Sequence, residues 1–209
     1  MDGVITDTMP YHFRAWKSVL ACEGVRVSHE DVYKREGQKG IDSVREIFIE
    51  KGKIYTDGAG RRILQKKEEL FKKIFKRKFI AGSRAFIKKL KNQGFKLALV
   101  TGTSRSEAQK LLPWNLWNCF DVTICGCDVQ SGKPHPEPYL KALQKLNIRP
   151  HEAIVFENAP FGIRSAQSAQ LACLALETSL PRAFLKEADA VFFSFKDMQS
   201  KVTFIKTAK

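Results

Sequence analysis

From Ile80 onward, apolar runs of three to six residues alternate with stretches of helical periodicity, and polar loops rich in Gly and Pro follow several of the runs. This alternation constrains the fold more than any other feature of the chain. Strands that alternate with helices lie parallel in one sheet, with helices covering both faces. A helix carrying Phe86, Ile87 and Leu90 leads through Gly94 to a strand at Phe95–Val100. A strand at Val122–Ile124 follows a helix starting near Ser104, and a helix from about Glu137 to Leu146 feeds Ala153–Phe156. Leu171–Leu176 and Ala190–Phe193 read as two further strands. The expected class is α/β, with a parallel sheet as its core.

Met9 to Phe79 is different, being helical almost throughout. Phe13, Trp16, Val19 and Leu20 form one stripe, and Ile41, Val44, Ile47 and Phe48 another. Ile63, Leu64, Leu70, Phe71, Ile74 and Phe75 form a third, with turns at Gly24–Ser28 and Gly52–Gly58. Much of the formal net charge of +14 falls between Arg61 and Lys96. The third stripe leaves most of those Lys and Arg on the opposite helix face, so a solvated basic face is expected, one that can steer phosphorylated substrates. That run shows no aromatic interleaving of the kind base stacking uses, which argues against a nucleic-acid partner. No apolar run approaches membrane-spanning length and no signal pattern opens the chain, so a cytoplasmic protein without a membrane partner is expected. The cysteines Cys22, Cys119, Cys125, Cys127 and Cys173 lack paired C-x-x-C spacing and read as buried free thiols rather than zinc ligands.

Loops that leave strands and enter helices gather at the carboxyl end of a parallel sheet, where such sheets bind ligands. Three of them carry chemistry. Val100-Thr101-Gly102-Thr103-Ser104 offers hydroxyls and a glycine amide where a helix begins, suited to an anion, though also to plain helix capping. Gly132-Lys133-Pro134-His135-Pro136 presents one lysine on a loop stiffened by two prolines. Phe156-Glu157-Asn158-Ala159-Pro160 ends a strand with an acid and an amide, both suited to a hard cation. Met1-Asp2-Gly3-Val4-Ile5-Thr6-Asp7-Thr8 reads as the end of a buried strand entering another such loop, although no strand leads into it.

In this order, the four segments resemble the motifs of the haloacid dehalogenase-like hydrolases. Met1–Thr8 is similar to the end of the first motif, Thr101 to the second, Lys133 to the third and Glu157-Asn158 to the fourth. Tyr11-His12-Phe13-Arg14-Ala15-Trp16-Lys17 is similar to the beta-phosphoglucomutase branch. The resemblance implies a Rossmann-like core from residues 1–8 and 80–209, with residues 9–79 inserted as a helical cap. It implies an Mg²⁺-dependent phosphatase that acts through an aspartyl phosphate on a small phosphorylated metabolite such as a sugar phosphate. Asp2 would be the acid and base, Thr101, Gly102 and Lys133 would hold the phosphate, and Asp2, Glu157 and Asn158 would hold Mg²⁺. His12, Arg14 and Lys39 are the cap residues expected to meet substrate, with Gly37 and Gln38 in the same turn; Phe13 and Trp16 are expected in the core.

Two departures qualify this reading. The family's nucleophilic aspartate falls immediately before Met1, which itself occupies the middle of the usual Asp-x-Asp. The first, central strand is then largely missing, and an unfilled slot between two strands is expected, as in a protein whose start lies upstream or one that has been shortened. This polypeptide alone is expected to be inactive. Second, Asn158 stands where many members carry an aspartate, which weakens the cation site without abolishing it. Gly40 falls where the mutase has a phosphate-gripping arginine, which favours a phosphatase over a phosphomutase. A phosphometabolite-binding protein without turnover is the alternative from another class. A monomer is expected, and Phe192, Phe193 and Phe195 are expected in the core.

Overall fold

The computed structural model describes residues 1–206. Helices α1 (Met9–Ala21), α2 (His29–Tyr33), α3 (Gly40–Glu50) and α4 (Asp57–Ile74) follow one another without a strand. Local chemistry sets their ends. Pro10 sits in the first turn of α1, where its missing N–H costs nothing. Ser28 and Asp31 close a reciprocal capping box on α2, and the Thr56 side chain accepts from Ala59 N–H at the start of α4. The first two stripes and the start of the third converge into one cluster, in which Phe13, Trp16, Leu20, Val44, Ile47 and Ile63 are buried together, while Phe71 packs into the core on the strand side.

The rest of the chain alternates. Helix α5 (Ser83–Asn92) precedes β1 (Ala98–Val100); α6 (Arg105–Leu111) and α7 (Trp114–Trp117) precede β2 (Val122–Ile124). Then come α8 (Glu137–Leu146), β3 (Ile154–Glu157), α9 (Pro160–Ser168), β4 (Ala172–Leu176), β5 (Ala190–Phe192) and α10 (Phe195–Lys201). All pairing between these strands is parallel, as the alternation requires. The sheet comes in two pieces, however. Among the described residues β1 pairs only with β2, with Leu99 opposite Thr123, while β3, β4 and β5 pair in that order, with Val155 opposite Cys173. The strand expected over Phe95–Val100 is regular only where β2 lies beside it; Leu97 N–H is taken instead by the Asp121 carboxylate.

Met1–Thr8 forms no strand. It is a buried turn in which Met1 carbonyl accepts from Ile5 and Thr6 N–H. Asp7 N–H donates to Lys78 carbonyl and Ile80 N–H to Ile5 carbonyl, so the two connections between α1–α4 and the strands run side by side. Phe192 and Phe195 are buried, but Phe193 is 73% exposed, contrary to expectation. β5 ends one residue earlier and Asp197 captures Phe193 N–H in the turn into α10, which leaves the ring outside. The thiols are free, yet only Cys125 and Cys173 are buried; Cys22 and Cys127 are exposed. Among the described residues, no helix is long and apolar enough to cross a membrane.

Candidate active site

The carboxyl ends of β1 and β3, the Met1–Thr8 turn and the inner face of α1–α4 meet at one recess. Asp2 is 9% exposed, and both of its oxygens are engaged. Oδ1 accepts from Thr8 Oγ1 at 2.5 Å and lies 3.5 Å from His12 Nε2; Oδ2 accepts from Thr103 Oγ1 at 3.2 Å. Burial alone would raise this carboxyl, but the His12 and Thr8 contacts hold it below the usual carboxylate range. Gly3 has φ +66°, a backbone conformation that glycine takes without strain, and it turns the chain just after Asp2.

His12 stacks on Phe71 of α4, with ring centroids 4.2 Å apart. Burial, then the Lys67 charge, lowers its pKa despite Asp2. Beside it, Lys67 is only 9% exposed, its ammonium 5.2 Å from both the Trp16 and the Phe71 ring centroids. Among the described residues it makes no ion pair. Lys67 thus departs from the solvated basic face expected for most Lys and Arg of this run. Its spacing of four from Ile63 and from Phe71, both buried, is the signal that places it on the apolar stripe. Trp16 is in the core as expected, and it also lines the cavity, of about 110 Å³, with Asp2, His12, Lys67, Gly102 and Thr103.

At the strand ends, Lys133 is 4% exposed and donates to Glu157 Oε1 at 2.6 Å and Val100 carbonyl at 3.4 Å, which spans the ends of β3 and β1. Tyr139 hydroxyl also donates to Glu157 Oε1, at 2.6 Å, and Asn158 N–H to Oε2, at 3.2 Å. Burial would raise the Glu157 carboxyl, but the Lys133 charge outweighs it and holds it low. Thr101 is buried, and its hydroxyl accepts from Thr103 N–H. Gly102 faces the Gly37-Gln38 turn so closely that a Cβ would strike the Gly37 carbonyl.

Two expected substrate residues lie elsewhere. Arg14 is on the exposed face of α1, over the Tyr11 ring, because helical spacing turns it away from His12. The Lys39 ammonium reaches across to the strand region and donates to Val129 and Gln130 carbonyls at 2.8 and 2.9 Å, so it is occupied by backbone. Glu36 is a residue that nothing in the sequence singled out. Glu36, 7% exposed, accepts from Asn158 Nδ2 at 2.7 Å, and burial together with Asp2 pushes its carboxyl well up.

The residues expected to hold Mg²⁺ are brought to this recess, but Asp2 and Glu157 have their side-chain oxygens engaged. No group of three or more His, Cys, Asp or Glu among the described residues is arranged to hold a metal. Among the described residues, the buried oxygens without a hydrogen-bond partner include Asn158 Oδ1 and Glu36 Oε1. Unpartnered amide and carboxylate oxygens in an acidic recess are the donors a hard cation takes, so the residues present fit the ion.

A model of the haloacid dehalogenase-like hydrolase family matches residues 1–176. The chain is 33% identical over 174 residues to a phosphorylated carbohydrates phosphatase of Thermotoga maritima, covering 81% of this chain and 78% of that protein. It is 27% identical over 175 residues to a beta-phosphoglucomutase of Bacillus subtilis, covering 81% and 77%. A solved beta-phosphoglucomutase-like structure from Bacteroides vulgatus superposes with a TM-score of 0.85 at 32% identity, covering 96% of this chain and 84% of that one.

Proposed function

The chain belongs to the haloacid dehalogenase-like hydrolase family, and on that premise we propose that it hydrolyses the phosphate monoester of a small phosphorylated metabolite such as a sugar phosphate. The observation that carries this reading is Asp2. It is a buried carboxylate held ionised by His12 and Thr8 and hydrogen-bonded by Thr103, at a recess bounded by the Gly102 loop and by α1–α4.

In this reading the attacking carboxylate belongs to a position ahead of Met1, and its oxygen bonds to phosphorus while the ester P–O bond breaks. Asp2 gives its proton to the leaving oxygen. Water then attacks phosphorus, returns a proton to Asp2 and frees phosphate. The ionised Asp2 of the free site is the form that accepts a proton, and a phosphate dianion beside it pushes the carboxyl back up toward the form that donates one. The Gly102 loop and the Thr101 hydroxyl orient the phosphate oxygens, and Lys133 neutralises their charge. Asp2, Glu157 and Asn158 would hold Mg²⁺, which would supply further charge neutralisation.

Helices α1–α4 act as a cap. The two adjacent connections near Thr6 and Phe79 serve as the hinge about which the cap opens to admit substrate. A phosphomutase is the second reading, favoured by Lys67 as a cation in the cavity that could grip a second phosphate.

The test is phosphate release from sugar and nucleotide monophosphates with Mg²⁺, comparing this polypeptide with one extended upstream through the aspartate. Release by the extended form alone is expected. Turnover by this polypeptide would overturn the nucleophile's placement, and isomerisation of a hexose 1-phosphate without release would favour the mutase. Binding without turnover in both would make the protein a phosphometabolite-binding one.

A further inference from the structure

Glu36 lies in the turn between α2 and α3, far in sequence from the strands, yet its carboxyl is placed against the end of β3. Its Oε2 accepts from Asn158 Nδ2 at 2.7 Å, across 122 residues of chain. Among the described residues its Oε1 has no hydrogen-bond partner, and neither has Asn158 Oδ1, although the two residues are 7% and 1% exposed. An unsatisfied buried oxygen costs about 1–3 kcal/mol, and here two stand in one recess.

The space between the groups is also shaped. A Cβ on Gly3 would strike Asn158 Nδ2 and sit 2.6 Å from both Glu36 Oε1 and Ser179 Oγ, so three polar groups converge on a spot that only glycine leaves open. Charge bears on the site as well. Asp2 and Glu157 are already present, Lys133 is taken up by Glu157, and the neighbouring Arg35 turns away to pair with Glu46 and Glu50. Carrying a third carboxyl into that group from another part of the chain is costly unless a cation joins them.

We propose that Glu36 is a cation ligand contributed by the α1–α4 unit, acting with Asn158 Oδ1, so that a divalent cation ties that unit to the strand ends. The proposal rests on the cation site of the reading above and adds to it a ligand from the cap. The amide supplies an oxygen without charge and Glu36 supplies the charge, a donor pair suited to Mg²⁺ or Mn²⁺. The cap then closes more readily with the cation present, because only the closed form offers both oxygens.

The experiment is Mn²⁺ binding followed by paramagnetic resonance on the parent protein and on Glu36→Gln, Glu36→Asp and Asn158→Ala. Each is also digested with trypsin, which cuts at Lys34 and Lys39, with and without Mn²⁺. Thermal melts confirm that each variant is folded. Glu36→Gln is expected to weaken Mn²⁺ binding by about tenfold or more and to abolish cation protection from trypsin, while Glu36→Asp, which keeps the charge, falls between it and the parent. Binding by Glu36→Gln within about twofold of the parent, with Asn158→Ala impaired, would overturn the proposal and leave the core cation site standing. Absence of Mn²⁺ binding in the parent would overturn both.

Discussion

A lysine at a core position of an amphipathic helix costs stability, and Lys67 stays there with two aromatic rings and no ion-pair partner among the described residues. Burial lowers its pKa from 10.5, against the pull of Glu68 and Asp2. The folded protein therefore holds this proton less tightly than the unfolded chain does, and stability rises with pH in the window just below 10.5. Lys67→Met keeps the length of the side chain and removes the charge. It should stabilise the fold by about 1–3 kcal/mol near neutral pH, with the advantage fading as pH climbs through that window. The same variant should bind phosphate esters more weakly, since it removes a cation from the cavity. Thermal melts across pH and ester affinity check the pair of effects; a variant that melts lower, or binds as before, would contradict the assignment. Lys133 and Glu157 were legible because their loops come after strands in a recognisable order, and Asp2 through its similarity to the end of the first motif. Lys67 and Glu36 were not, since a lysine within a basic run and a glutamate in a turn look like surface residues until packing gives them neighbours.

The loops that end β1 and β2 touch backbone to backbone. A Cβ on Gly126 would strike the Gly102 carbonyl, and one on Gly102 would strike the Gly37 carbonyl. The two contacts differ in what can give way. β1 and β2 are hydrogen-bonded over three residues each, so the Gly126 contact is fixed, whereas the Gly37 turn belongs to the proposed cap and can swing out. Gly126→Ala should therefore cost about 1–3 kcal/mol of stability. Gly102→Ala should cost less stability but weaken phosphate-ester binding, because it holds the turn away from the loop. Denaturant melts and ester affinity of both variants would test this, and the reverse ranking would show that the turn is fixed. The alternation of elements was legible from periodicity, and their ends largely so. The lengths of β1 and β5 were not, because a strand is regular only as far as a neighbour pairs with it, and neighbours are a property of the assembled sheet.

Taken whole, the molecule has two parallel sheet pieces, and β1 and β3 are among their edge strands. Lys133 reaches both Val100 carbonyl and Glu157 Oε1, so the carboxyl ends of these strands flank one ammonium group. The Met1–Thr8 turn is buried among them, and the Met1 amine feels Asp2, Lys133, Glu157 and Glu36, while burial lowers its pKa. Free strand edges leave backbone donors and acceptors without partners and invite pairing with other chains. A short run of β-branched residues followed by Asp, joined directly ahead of Met1, should pair with β1 on one side and β3 on the other. Hydrogen bonds at about 0.5–1.5 kcal/mol each, less the cost of ordering the added residues, should leave a gain of a few kcal/mol, on the order of 5–10 °C in Tm for a chain of this size. Aggregation at high protein concentration should fall in parallel. An extension of equal length rich in Gly and Pro should give neither effect, since it cannot form the ladder. Equal melting temperatures for the two extensions would mean that β1 and β3 do not leave room for a strand, and the divided sheet would then be complete as it stands.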